Sequence, residues 1–140
     1  MNVLKVIFKN LILMLAGGEL YCICEMLCRG RSHWCMVIVG GVCFWACGQV
    51  NNLLGWDVPL RLQIVICAGV ITATEFVSGC IVNLWLGWNV WDYSDMPFNV
   101  LGQICLPFTL LWLLISPVAI FLDDYTRYDL FGEEEPRYRW

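Results

Sequence analysis

The sequence predicts an all-α membrane protein: a four-transmembrane-helix bundle with short loops and a polar C-terminal tail. Three observations predict it. Of the 140 residues, 60% are hydrophobic and only 14% charged, and the mean hydropathy is +0.70. A soluble domain carries roughly 45–50% apolar and about 25% charged residues, so lipid must solvate part of this chain. Four apolar runs reach the roughly 20 helical residues needed to cross the hydrocarbon core. None alternates in and out as barrel strands do. A helix satisfies its backbone polar groups within the segment, as a membrane span requires.

The first helix is expected over about 3–27. Lys5, Lys9, an apolar run and Ala16-Gly17-Gly18 have the layout of a signal peptide. The apolar character continues through LYCICEML, which predicts an uncleaved helix. Glu25 stands four residues before Arg29, the favourable order for an ion pair. Glu19 lies deeper and on another face, either as a second buried carboxylate or facing a water-filled groove. Arg29 to His33 then form a short loop. His33 is the single histidine. It is either a hydrogen-bonded loop residue or, with Arg29 and Arg31, part of a basic cluster for an anionic headgroup or substrate.

The second helix is expected over about 34–54 and the third over about 62–86, joined by residues 55–59. Glu75 lies near the middle of the third. An ionisable side chain at that depth costs roughly 2.5–3.5 kcal/mol on insertion scales and marks a functional position by default. Thr72, Gly79 and Asn83 share its face at helical spacing. The face reads either as ligand-binding or as interhelical hydrogen bonding. Trp85, Trp88 and Trp91 straddle the end of this helix. They fit an interfacial aromatic belt. With Asn89 and Asp92 they also supply the π faces and counter-charge of a cation pocket.

The fourth helix is expected over about 98–122, with Asn99 and Gln103 one turn apart near its start. Pro107 and Pro117 would deprive the carbonyls of Gln103 and Leu113 of their donors. That produces either a plain kink or a broken helix lining a cavity. Residues 1–128 then form one transmembrane domain. Residues 129–140 form a polar acidic tail, with Glu133-Glu134-Glu135-Pro136 solvated.

Charge sets the orientation. Lys5, Lys9, Arg61, Arg127, Arg137 and Arg139 fall on one side and Arg29 and Arg31 on the other. That bias places both termini in the cytoplasm of a cell membrane. The net charge of −4 argues against a nucleic-acid partner. Nine cysteines, without a CxxC, fall almost entirely in apolar runs, where a thiol acts as a small hydrophobe. No metal, cofactor or catalytic residue is assigned.

The runs GGELYCICEMLCRGRSHWCMVIVGG and TATEFVSGCIVNLWLGWNVWDYSDMPFNVLGQICLPFTLLWLLISPVAIFLDDY carry a resemblance over about residues 17–128. The chain resembles the ABC-transporter type IV (CmpB-like) permease family. The resemblance implies a small multi-pass bacterial membrane protein, with Glu25, Arg29, His33, Glu75, Asn83, Asp92, Asn99 and Gln103 at the family's polar positions; Glu19 is outside that pattern. The chain has no GxxxxGK[ST] phosphate loop, so it lacks an ATPase motif of its own.

Three functions follow. The first is a transporter or permease-like component that binds a small ligand or cation through Glu75. Asn83, Asn99 and Gln103 line its pocket, and Trp88, Trp91 and Asp92 close it. Four helices enclose little volume, so a homo-oligomer or partner membrane subunit is expected. The second is a non-transporting scaffold or sensor. The third is a membrane enzyme on a lipid-linked phosphate, with Arg29, Arg31 and His33 on the phosphate and Glu25 or Asp92 as base. No recognised catalytic spacing supports that third reading.

Overall fold

The computed structural model describes residues 2–140. Four helices run through it: α1 (Val3–Arg29), α2 (Cys35–Leu54), α3 (Leu60–Gly79) and α4 (Leu106–Phe131). Each is long and apolar enough to cross a membrane, and no strand occurs among the described residues. The protein is all-α and multi-pass, with lipid as its surroundings.

Local chemistry sets the helix ends. The Asn2 side chain accepts from the Leu4 N–H at the start of α1, and Gly30, at φ +70°, ends it with an N–H to the Met26 carbonyl. α3 continues into a π-helix, Cys80–Trp85, whose wider turn is closed by the Leu86 N–H on the Ile81 carbonyl.

α1 and α2 pack antiparallel and close. A Cβ on Gly18 would stand 2.0 Å from the Val37 carbonyl oxygen, and one on Gly41 would stand 2.3 Å from that of Met14. The small residues that resemble a cleavage site are therefore a helix-packing seam. α2, α3 and α4 pack around Cys47, Cys67, Ile71, Trp112 and Ile120. α1 meets α4 at few points.

Two elements depart from the sequence reading. The fourth helix begins at Leu106, not near residue 98, and extends to Phe131. Pro107 therefore lies in its first turn, where a missing N–H costs nothing, and does not break the helix. Asn99 and Gln103 lie in the connection before it. The Gln103 carbonyl is not freed, since it accepts from the Trp91 indole at 3.0 Å.

The C-terminal segment is not simply solvated. The Leu60 N–H donates to the Arg139 carbonyl at 2.6 Å, Arg139 pairs with Asp57 at 3.1 Å, and Tyr138 packs edge-on against Phe121 and Trp56. Glu133 pairs with Lys9, which is buried rather than a solvated flanking charge.

Candidate functional site

Glu75 lies about one turn before the end of α3 and is buried, with one residual edge on a cleft. Its Oε1 accepts from the Tyr93 hydroxyl at 2.8 Å and its Oε2 from the Trp112 indole at 3.0 Å. Tyr93 stacks on Phe108, with ring centroids 4.7 Å apart and planes inclined by 14°. Arg29 reaches the same group from α1. Its Nη2 lies 3.5 Å from the Tyr93 hydroxyl and its guanidinium 5.2 Å from the Phe108 ring centroid, within cation–π range. Glu25 stands 3.7 Å from Arg29 and accepts from the Ser32 hydroxyl at 2.8 Å.

The chain Glu25–Arg29–Tyr93–Glu75–Trp112 thus ties α1, α3, α4 and the 86–105 connection together. Beside it, where α1 and α4 diverge, lies a cleft of about 300 Å³. Tyr21, Glu25, Arg29, Glu75, Phe108 and Trp112 line its polar part. Leu20, Phe44, Leu111, Ile115 and Val118 line its apolar part. A carboxylate offers roughly four lone-pair sites, so the two hydrogen bonds to Glu75 leave it capacity to accept from a ligand.

The other expected site residues divide. Asn83 donates to the Gln103 side-chain oxygen at 2.8 Å, and its own oxygen accepts from the Val90 N–H at 2.7 Å. Asn99 bonds the carbonyls of Ser94 and Met96 and the Gly102 N–H. Trp91 is buried beside Gly79, where a Cβ would stand 3.0 Å from its ring. These residues fold the 86–105 connection onto the π-helix and are not among those lining the cleft.

The three tryptophans do not form one pocket. Trp85 is exposed, Trp91 is internal, and Trp88 packs with Trp34 and His33, all three centroid pairs at 5.6 Å. Asp92 caps its own turn, accepting from the Ser94 N–H at 2.9 Å and hydroxyl at 2.5 Å. Those bonds hold its carboxyl below the usual carboxylate range. The basic cluster is not assembled either. Arg29 turns into the bundle, His33 Nδ1 accepts from the Cys35 N–H at 3.2 Å, and Arg31 is exposed.

Tyr93 and Trp112 escape the sequence reading. Trp112 carries a signal, because tryptophan favours membrane interfaces. One in mid-helix needs a partner for its N–H. A second buried group, toward the other end of the bundle, also escapes it. Asp123 pairs with Arg127, while Asp124 accepts from Asn51 at 2.5 Å and from the Tyr138 hydroxyl at 2.8 Å. Gly48 makes room for this group, since a Cβ there would stand 1.7 Å from Asp123 Oδ2.

Residues 18–131 match the family model described as "Putative ABC-transporter type IV". No curated protein and no solved structure matches the chain.

Proposed function

The chain belongs to this ABC-transporter type IV family, and from that premise we propose that it is a permease-like component that binds a small ligand in the cleft between α1 and α4. The observation that carries the reading is the placement of Glu75, a carboxylate in a transmembrane helix with an edge on that cleft. Two carboxylates, Glu25 and Glu75, face one guanidinium, Arg29. The aromatic faces of Tyr21, Phe108 and Trp112 lie among them. This balance favours a cationic head, and the apolar remainder of the cleft favours an apolar body. A lipophilic amine has both. The positive-inside bias supports a cell-membrane location with both termini in the cytoplasm.

One observation favours a second reading, a scaffold. Both hydrogen bonds to Glu75 come from the protein itself and join three elements. A thermal-shift screen in detergent separates the two, using wild type and Glu75→Gln against lipophilic amines, with carboxylic acids of equal apolar size as controls. Amines that stabilise wild type and not Glu75→Gln support ligand binding. An absence of amine-dependent stabilisation, with Glu75→Gln merely less stable, supports the scaffold.

A further inference from the structure

Glu19 is exposed, and it is exposed to the wrong solvent. It lies ten residues short of the Arg29 end of α1. At 1.5 Å per residue that is about 15 Å from the end, half the roughly 30 Å hydrocarbon thickness. Its short stem does not reach the headgroups from there. Among the described residues no partner contacts its carboxylate, and no other acidic or basic side chain is exposed at mid-span. The helical wheel places it opposite Gly17, Tyr21, Cys24 and Cys28, the positions turned toward the bundle. The carboxylate therefore points straight outward.

Its neighbours on that face have a pattern. Phe8, Ile12, Leu15, Glu19, Cys22 and Met26 are spaced four, three, four, three, four. That is a heptad seam with one polar member. Phe8, Leu15 and Met26 are 63%, 56% and 52% exposed, and Ile12 and Cys22 are partly exposed. A single polar residue in an apolar heptad seam fixes register and oligomeric state at a cost in stability.

We propose that this face of α1 pairs with α1 of a second copy in a parallel, two-fold symmetric dimer, with the two Glu19 side chains meeting at the axis. Copies of one chain insert with the same topology, so their α1 helices run parallel. Two-fold symmetry brings each seam position to its own counterpart. Glu19 then finds its partner without any further protein: one carboxyl O–H donates to an oxygen of the other. This extends the expectation of a partner stated above. It stands on Glu19 and its seam, whatever the cleft binds.

Photo-crosslinking in native membranes tests it, with a photoreactive residue at Leu15, or at Val65 on α3 as control, and two differently tagged copies co-expressed. The expected result is a doubly tagged crosslinked dimer from Leu15 and none from Val65. In nanodiscs, light scattering is expected to report a dimer for wild type and for Glu19→Gln, whose amides also pair. The dimer fraction is expected to fall at least tenfold in Glu19→Lys. The Leu15 crosslink needs no change at Glu19, so a misfolded lysine variant does not blunt the test. A monomer at every concentration, a Leu15 crosslink only to a different polypeptide, or a dimer indifferent to Glu19→Lys would each overturn the proposal.

Discussion

Asp92 shows how a single residue stabilises the connection between α3 and α4 from outside the cleft. Its carboxylate accepts from both the N–H and the hydroxyl of Ser94. Because these bonds depress its pKa, their contribution is fully present above the unfolded value, about 3.9. It is lost as pH falls through the lower folded value. The expected outcome is protection of the Ser94 amide that persists to pH 4 and disappears in stronger acid, with the acid limb absent in Asp92→Asn. Hydrogen exchange reads both. Protection that already fails near pH 5 would mean that this turn is not formed. Glu75 works differently, because its donors come from two elements and fix the position of each. Nothing local in TATEFVSG announces those donors, which stand 18 and 37 residues downstream.

At the scale of elements, the helices answer to packing as much as to hydropathy. Gly41 and Gly69 are both helix-interior glycines, and their environments are opposite. A methyl group at Gly41 meets the Met14 carbonyl oxygen at 2.3 Å, whereas nothing lies within 4 Å at Gly69. Gly41→Ala is expected to lose about 1–3 kcal/mol by overpacking. Gly69→Ala is expected to gain roughly 0.5–1 kcal/mol from helix propensity. Melting in detergent measures both, and equal effects would contradict the close α1–α2 approach.

The four helices were legible because long apolar runs dictate them. The start of the fourth was not, because FNVLGQIC is as apolar as a helix. It is instead a folded connection, with Phe98, Leu101 and Gly102 at positive φ. The usable signal was Pro107 as a helix opener. The i,i+4 pairing of Glu25 with Arg29 was legible from spacing. Its link to Glu75 through Tyr93 was not, since no periodicity encodes contact between a loop and two helices.

Over the whole molecule, the C-terminal segment does more than its acidity implies. It places Tyr138 over Asp124 and Glu133 against Lys9, covering buried charges at one end of the bundle. Burial, and then the Asp124 carboxylate, raise the Tyr138 phenol above the ordinary range. The stability from its neutral form is therefore fully present below the unfolded value, about 10. It is lost only as pH rises through the higher folded value. In an alkaline absorbance titration of wild type against Tyr138→Phe, the tyrosine removed is expected to be one that ionises well above pH 10. An ordinary titration at Tyr138 would show that the segment is undocked.

The long reach of the Glu75 contacts also bears on how the chain is made. α1 and α2 meet through their own glycines, while Lys9 and Asn51 still await Glu133 and Asp124. α3 enters the bilayer carrying a carboxylate whose two donors have yet to be synthesised. Until the connection and α4 follow, neither of its two hydrogen-bond donors is in place. The third and fourth spans are therefore best satisfied when they enter the bilayer as one unit. A nascent chain ending just after the π-helix would then be the form most prone to slip out of the membrane and be degraded.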